Sequence, residues 1–292
     1  MEIRIGEAES GMCIRAFLSA RFAISARCLS NLKNDPCGIL VNGEKKTVRY
    51  CLAAGDLLSL HLGDGEGDYV PLPAPQALPF PLLAADEWFL AVNKPADMPT
   101  HPSYRHRGDT LADALAAACG CPLVFRVITR LDRDTSGVVL LARNRLAAGF
   151  FSRAMANGEI EKTYYAITDR PPVPLAGRMV DDIAREEEGI IRRRVVPAGQ
   201  GDRAVTDYAL AEARAGKYLL RLSPRTGRTH QLRVQLASRG LPIVGDDFYG
   251  GSLAMPRQAL HAACLSFPHP CGGRVTVEAP LPQDMHHYFY EE

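Results

Sequence analysis

The segment 130-RLDRDTSG-137 places two carboxylates, two guanidiniums and a Thr-Ser-Gly ending between the apolar runs VFRVI and VVLLA. A chain reversal accounts for half of it. Asp134 can bond its own downstream amides, Thr135 and Ser136 reinforce the turn, and Gly137 takes a backbone angle that other residues resist. Asp132 is left over. Standing where a buried strand ends, its carboxylate would project into a cleft and serve as nucleophile or base, provided a cation keeps it ionised in a partly dry site.

Such cations are concentrated in one later stretch. From Arg214 to Val244 there are seven basic residues and no acid, and within it runs 224-PRTGRTHQLRVQLASRG-240. The imbalance reads as a positive groove. A solvated helix face with scattered ion pairs would explain Arg239 but not Arg228, which stands in a Thr-Gly-Arg-Thr-His loop that opens a helix and offers free N–H groups to an anion. Lys162 and Tyr164 add a third element. Two residues apart in a strand, they share a face, and beside an acid and a basic groove they read as a cation next to a stacking platform for a base.

The elements that must position these groups alternate between strands and helices. WFLAV (88–92), GVVLLAR (137–143), IEKTYYAIT (160–168) and KYLLRLS (217–223) read as strands. DTLADALAAAC (109–119) reads as a helix with its cap near Asp109 or Thr110. Another helix follows Asn144, and THQLRVQLASRG forms a third, closed by Gly240. Strands joined by both turns and helices predict an α+β domain over residues 80–292. Residues 63–79, glycine-rich and acidic and then proline-rich, predict a linker, and residues 1–62 a separate small unit.

In that unit Ile14, Phe17, Leu18, Arg21 and Phe22 recur at helical spacing. Leu29 and Leu32 follow behind a Ser25 cap, and 39-ILV-41 with Asn42-Gly43 predicts a hairpin. Between Met12 and Tyr50 seven Lys and Arg face two acids, although the whole chain of 292 residues carries a formal charge of only +1. Any nucleic-acid surface must therefore be local. The 47% hydrophobic content supplies a proper core, which excludes extensive disorder. Eight cysteines without a CxxC pair or zinc spacing predict reduced structural thiols and no metal site. No apolar run approaches the roughly 20 residues of a membrane helix, and the first residues lack the pattern of a secretory leader. A cytoplasmic protein is expected.

The unit 1–62, with 32-LKNDPCGILVNG-43 and 55-GDLLSL-60 behind two short helices, resembles the S4-like RNA-binding domain. In that family a basic helical face meets RNA, which makes Arg15, Arg27, Lys33 and Lys45 the candidates here. The remainder resembles the RluA family of pseudouridine synthases. The pieces that carry the resemblance are 91-AVNKPADMPTHP-102, 127-VITRLDRDTSGVVLLAR-143, 161-EKTYYA-166, 226-TGRTHQLRVQLASRGLPIVGDDFYG-250 and 260-LHAACLSFPHP-270.

This resemblance implies a catalytic domain with a mixed, largely antiparallel central sheet, flanking helices and a cleft. It implies that Asp132 is the catalytic aspartate, Tyr164 the tyrosine packed on the target base and Arg228 the basic partner of Asp132. Arg130, Lys162, Arg225, Arg233 and Lys94 are expected to contact RNA. Two positions depart from the pattern: Thr129 stands where histidine is usual, and Gln235 replaces the histidine of Arg-Val-His-Leu, so substrate contacts are expected to differ there.

The implied reaction breaks the N1–C1′ bond of a uridine in rRNA or tRNA and joins C5 to C1′, with no redox change and no cofactor. Asp132 would attack C1′ or act as a base at C2′. The partner is RNA with a uridine drawn out of its stack, and the protein is expected to be a monomer. A non-catalytic RNA-binding or ribosome-assembly factor retaining the fold is the alternative.

Overall fold

The computed structural model describes residues 1–61, 70, 71, 73, 77–103, 106–120 and 124–291. The amino-terminal unit contains β1 (Glu2–Arg4), α1 (Ile14–Phe22), α2 (Ala26–Asn34), β2 (Ile39–Val41), β3 (Glu44–Lys45) and β4 (Leu57–Leu60), with the strands ordered β1-β4-β2-β3. Both helices form where their apolar spacing predicts. Ser25 caps α2 by accepting the Cys28 amide at 3.2 Å. Asn42 (φ 52°) and Gly43 (φ 82°) both occupy the left-handed region, as a two-residue hairpin of this hand requires.

The larger unit comprises β5 (Leu82–Ala85), β6 (Phe89–Lys94), α3 (Leu111–Cys119), β7 (Ser136–Ala142), α4 (Arg145–Ala156), β8 (Glu161–Thr168), β9 (Ala176–Arg185), β10 (Arg193–Val196), β11 (Asp202–Arg214), β12 (Lys217–Pro224), α5 (Gln231–Ala237), β13 (Leu260–Pro268), β14 (Arg274–Glu278) and α6 (Gln283–Tyr290). Its sheet runs β10-β9-β11-β12-β8-β13-β7-β6-β5, with β14 beside β13. Every pairing is antiparallel except β7 with β13, so the mixed, largely antiparallel α+β sheet is the one expected.

The parallel junction depends on Gly137. Its φ is 118°, and a Cβ there would stand 2.2 Å from the Ala262 carbonyl oxygen, closer than any side chain can approach. Beneath it His261 is wholly buried between the Ser136 hydroxyl (2.9 Å from Nδ1) and the Ala279 carbonyl (3.2 Å from Nε2). The carbonyl can only accept, so Nε2 holds the proton and Nδ1 accepts from Ser136.

Burial pushes the His261 pKa down from 6.5 to about 4. The unfolded chain therefore binds the extra proton between these values. The stability contribution is complete above about pH 6.5 and is lost as pH falls toward 4, by about 3 kcal/mol in all. Melting temperatures measured from pH 7.5 to 4.5 should fall steeply for the wild type and less steeply for His261→Gln; parallel slopes would exclude this source.

The two units share one core. Phe22 stacks on Trp88 with centroids 5.4 Å apart and planes within 6°. Arg21, one of the seven basic residues of the amino-terminal stretch, donates to the Pro270 carbonyl at 3.0 and 2.8 Å and so acts as a strut. Arg153 of α4 donates to the carbonyls of Ser19 and Arg21. Gly149 is needed at this contact because a Cβ would meet the Phe22 carbonyl oxygen at 2.4 Å.

The predicted linker behaves differently where it is described. Val70 is buried with Leu78 and Phe80 against β6, β7 and α3, and it exchanges backbone bonds with Arg143: its amide donates to the Arg143 carbonyl at 2.7 Å and its carbonyl accepts from Arg143 Nε at 2.8 Å. Residues 63–69, 72 and 74–76 of that stretch lie outside the described residues. Among the described residues, no helix is long and apolar enough to cross a membrane.

Candidate active site

The segment RLDRDTSG is the turn of a hairpin. The chain from Arg126 runs back along β7, with the Ala142 amide donating to the Arg126 carbonyl at 2.9 Å and Ile128 donating to Leu140 at 2.8 Å. The Thr135 amide then bonds the Asp132 carbonyl at 3.1 Å, which closes the turn. Two interior groups fix it from below. The Thr100 hydroxyl donates to the Leu131 carbonyl at 2.9 Å, and Lys94 Nζ donates to the carbonyls of Pro95, Met98 and Arg133 at 2.7, 2.8 and 2.9 Å. Burial pushes the Lys94 pKa down to about 7, while the nearby charges of Asp134 and Asp132 act against that.

Asp132 emerges from this frame with its side chain 27% exposed. Its Oδ2 accepts from Arg233 Nη1 at 3.2 Å. Arg233 is buried, and its other two nitrogens form a fork on Asp246, Nε to Oδ2 at 2.7 Å and Nη2 to Oδ1 at 2.8 Å. Asp246 is itself completely buried. The guanidinium is thus bound rigidly on one side by a desolvated carboxylate and presents its remaining edge to Asp132. Phe248 and Tyr249 cover its face, with ring centroids 5.6 and 5.2 Å from Cζ. Together these carboxylates push the Arg233 pKa up against the effect of burial, so it remains a cation.

His230 stands beside the pair, with Nε2 3.9 Å from Asp132 Oδ2 and a left-handed backbone (φ 56°) just ahead of α5. Its Nδ1 meets the Tyr249 hydroxyl at 2.8 Å, and that hydroxyl accepts the Arg193 amide at 2.9 Å. Where that hydroxyl gives its own proton to Nδ1, the imidazole proton lies on Nε2, facing the carboxylate. Burial lowers the His230 pKa, so the ring is neutral near pH 7. The Arg193 Nε is buried without a hydrogen-bond acceptor, and its charge is felt at His230.

Tyr164 of β8 lies at the junction of two core clusters, opposite Ala262 of β13 and Leu222 of β12. Burial and then the Asp132 charge raise its pKa, so it remains a neutral phenol close to that carboxylate. Lys162 sits on the same face and donates to the Thr226 carbonyl at 3.3 Å. Aspartate, tyrosine and arginine therefore come together from β7's turn, β8 and α5.

Four expectations are corrected. Arg228 does not meet Asp132: it is exposed, and its Nε donates to the Arg203 carbonyl at 3.1 Å. The aspartate's cation is Arg233, which was expected at RNA. Lys94 is wholly buried on three carbonyls and reaches no surface. The basic stretch 214–244 is not one groove either, since Lys217 bonds the Tyr288 carbonyl, Arg239 pairs with Asp181 and Arg233 is internal.

Arg225 is exposed but shares Asp207 with Arg178, and Arg130 is exposed at the hairpin. Arg15, Arg27, Lys33 and Lys45 are exposed on the amino-terminal unit. The two departures from the family pattern prove internal. Thr129 accepts the Leu140 amide at 2.9 Å, and Gln235 bonds Asp181, Ala204 and Thr206 in the interior.

The profile of the RNA pseudouridylate synthase family matches residues 88–238, which include Asp132, Tyr164 and Arg233. An uncharacterized RNA pseudouridine synthase of Bacillus subtilis, YjbO, is 35% identical over 272 residues, covering 91% of this chain and 95% of its own. The chain belongs to the RNA pseudouridylate synthase family.

Ribosomal large subunit pseudouridine synthase D of Zymomonas mobilis is 37% identical over 239 residues, covering 74% of this synthase and 75% of its own chain. The solved structure of human RNA pseudouridylate synthase domain containing 1 superposes with a TM-score of 0.58 at 29% identity, covering 72% of this chain and 86% of that one. The protein is therefore an RNA-modifying isomerase. In the synthase the residues that sequence reasoning passed over are Asp246, His230, Tyr249 and Arg193. The available signal was 245-GDDFYGG-251. A Cβ on Gly245 or Gly251 would meet a backbone oxygen at 1.8 or 1.9 Å, so the glycines allow the chain to fold tightly around Asp246 and bury it.

Proposed function

We propose that Asp132 is the group that acts on the ribose of the target uridine, and that Arg233, held by Asp246, keeps it ionised and aimed. The observation that carries this reading is the Asp246–Arg233–Asp132 chain of charge-assisted bonds ending at a half-exposed carboxylate. Breaking the N1–C1′ bond builds positive charge at the anomeric carbon, which a close carboxylate stabilises. C5 then bonds C1′, the C5 proton departs and N1 gains one, so composition is unchanged and no electron acceptor is required.

Tyr164 is the ring on which the uracil stacks while it is detached, a contact worth roughly 1 to 3 kcal/mol. As a neutral phenol it adds no charge repulsion. Arg193, whose buried Nε lacks an acceptor, supplies an anion contact beside the site. Arg130, Lys162 and Arg225 serve as further RNA contacts. The amino-terminal unit acts as an S4-like RNA-binding domain, in keeping with its exposed Arg15, Arg27, Lys33 and Lys45. The substrate is structured RNA, rRNA or tRNA, and the Zymomonas relative's name favours large-subunit rRNA. The synthase acts in the cytoplasm as a monomer.

The test is a pseudouridine map of total rRNA and tRNA from cells with and without the gene. One or more sites should vanish with the gene and return with the wild-type protein but not with Asp132→Asn. Persistence of every site, together with no isomerisation of these RNAs by purified protein, would overturn the proposal.

A further inference from the structure

The start of α1 is tied to the segment ahead of β4 by a short antiparallel bridge in which Cys13 lies directly opposite Cys51. The backbone bonds fall on either side of that pair. The Leu52 amide donates to the Met12 carbonyl at 2.9 Å and the Ile14 amide to the Tyr50 carbonyl at 3.0 Å, so the cysteines themselves occupy a non-hydrogen-bonded position. At such a position the Cα atoms stand about 4.5 Å apart and both side chains leave the same face. That separation falls within the roughly 4.4 to 6.8 Å that a disulfide spans.

Both thiols are only loosely engaged. Cys13 stands ahead of the first turn of α1, yet its side chain makes no capping bond. The Cys51 sulfur meets the Arg49 carbonyl at 4.0 Å, a long contact that is easily given up. Cys51 is exposed and Cys13 half-buried, so an oxidant in solution reaches the pair.

We propose that Cys13 and Cys51 are an oxidative modification site, closed by a peroxide into a disulfide that staples α1 to the segment before β4 and reopened by a small thiol. The proposal is independent of the RNA substrate. In a reducing compartment the pair rests as two thiols. Cys51, the more exposed, loses its proton and attacks one peroxide oxygen; the O–O bond breaks, one water leaves and Cys51 carries a sulfenic acid. The Cys13 sulfur then attacks the Cys51 sulfur. The S–S bond forms as the S–O bond breaks, and the departing hydroxide takes the Cys13 proton as a second water. Two electrons pass from the sulfur pair to the peroxide, and two equivalents of a small thiol return them by exchange.

The location gives the bond its effect. Cys13 and Cys51 are 38 positions apart, and the loop they close contains α1, α2, β2 and β3. Within it α1 carries Phe22 onto Trp88 and Arg21 onto the Pro270 carbonyl, contacts that join the two units. Cross-linking a loop of this length restricts the unfolded chain more than the folded one. The oxidised protein is therefore the more stable form, with α1 locked onto the shared core. The exposed thiols of Cys37 and Cys271 offer the competing outcome, a link between copies of the chain.

The experiment treats the reduced protein with hydrogen peroxide, blocks the remaining thiols and reads the unreduced tryptic peptides by mass spectrometry. Peptides 5–15 and 50–105 hold one cysteine each. They should appear linked in monomeric protein and separate again after dithiothreitol. The oxidised wild type should melt about 5 to 10 °C above the reduced wild type. Cys51→Ser and, independently, Cys13→Ala should form no such link and should each melt at the same temperature before and after peroxide.

Recovery of the two peptides unlinked, with Cys13 and Cys51 as blocked thiols or sulfinic acids, would overturn the proposal. So would links confined to Cys37 or Cys271 between copies of the chain. A linked pair of peptides with an unchanged melting temperature would refute the locking of α1.

Discussion

Asp132→Asn should leave a folded, RNA-binding protein whose turnover has fallen on the order of 10⁴-fold, the scale seen when an essential reacting group is removed from an otherwise intact site. Asn keeps the shape and one acceptor for Arg233 Nη1, so the fork between Arg233 and Asp246 persists and the turn retains its Thr100 and Lys94 supports. What is lost is the negative charge at the anomeric carbon and the capacity to form or relay a bond there. Single-turnover assays should therefore show the drop in rate, with dissociation constants changed by no more than a few fold. A variant retaining a tenth of wild-type turnover would mean that Asp132 is not the reacting carboxylate.

The two arginines of the Thr-Gly-Arg-Thr-His-Gln-Leu-Arg stretch should separate sharply. Arg228→Gln removes an exposed side chain that donates to the Arg203 carbonyl, so stability should change by about 0.5 kcal/mol or less and turnover only a few fold. Arg233→Gln removes the cation from two carboxylates at once. Asp246, with no solvent to turn to, becomes an unpaired buried charge, a situation that costs about 3 to 5 kcal/mol.

Thermal unfolding should register that cost, and turnover should fall at least a hundredfold because Asp132 is no longer held. Arg233→Gln combined with Asp246→Asn should recover much of the stability without recovering turnover, which separates folding from chemistry. Equal turnover losses for Arg228→Gln and Arg233→Gln would refute the assignment of Arg233.

This pair also marks where the sequence stopped being legible. Strand alternation puts Lys162 and Tyr164 on one face and turn chemistry asks for a glycine angle at Gly137, and both agree with the fold; the Asp134 carboxylate instead pairs with Arg133, and the Thr135 and Ser136 hydroxyls meet Gln258 and His261 rather than the turn's own amides. The resemblance points to Arg228, which stands in a loop that aims its side chain, whereas in sequence Arg233 is one residue among several on a helix. The deciding fact is long-range. Asp246, thirteen residues beyond Arg233, is buried by two tight glycine positions, and a buried acid requires a cation.

Lys94 was misplaced for a related reason, since nothing local says that three carbonyls converge on its Nζ. The helices α1 to α5 were readable from their apolar spacing and caps, whereas α6 (Gln283–Tyr290) was not anticipated. The hairpins of β9, β10 and β11 were not, because sequences such as AGRMVDDIAR and DRAVTDYALAEAR carry charges at many half-exposed positions and show no clean alternation.

The stack of Phe22 on Trp88 bears on how the molecule behaves as a piece of heritable machinery. A module that can be lost or exchanged between genes must close its own core, and here neither unit does. Without the first 62 residues, Trp88, Phe151 and their neighbours would face water, and the catalytic unit would tend to self-associate. The two parts should melt as one cooperative block, so substitutions that loosen α1 will depress catalysis without touching a single reacting atom.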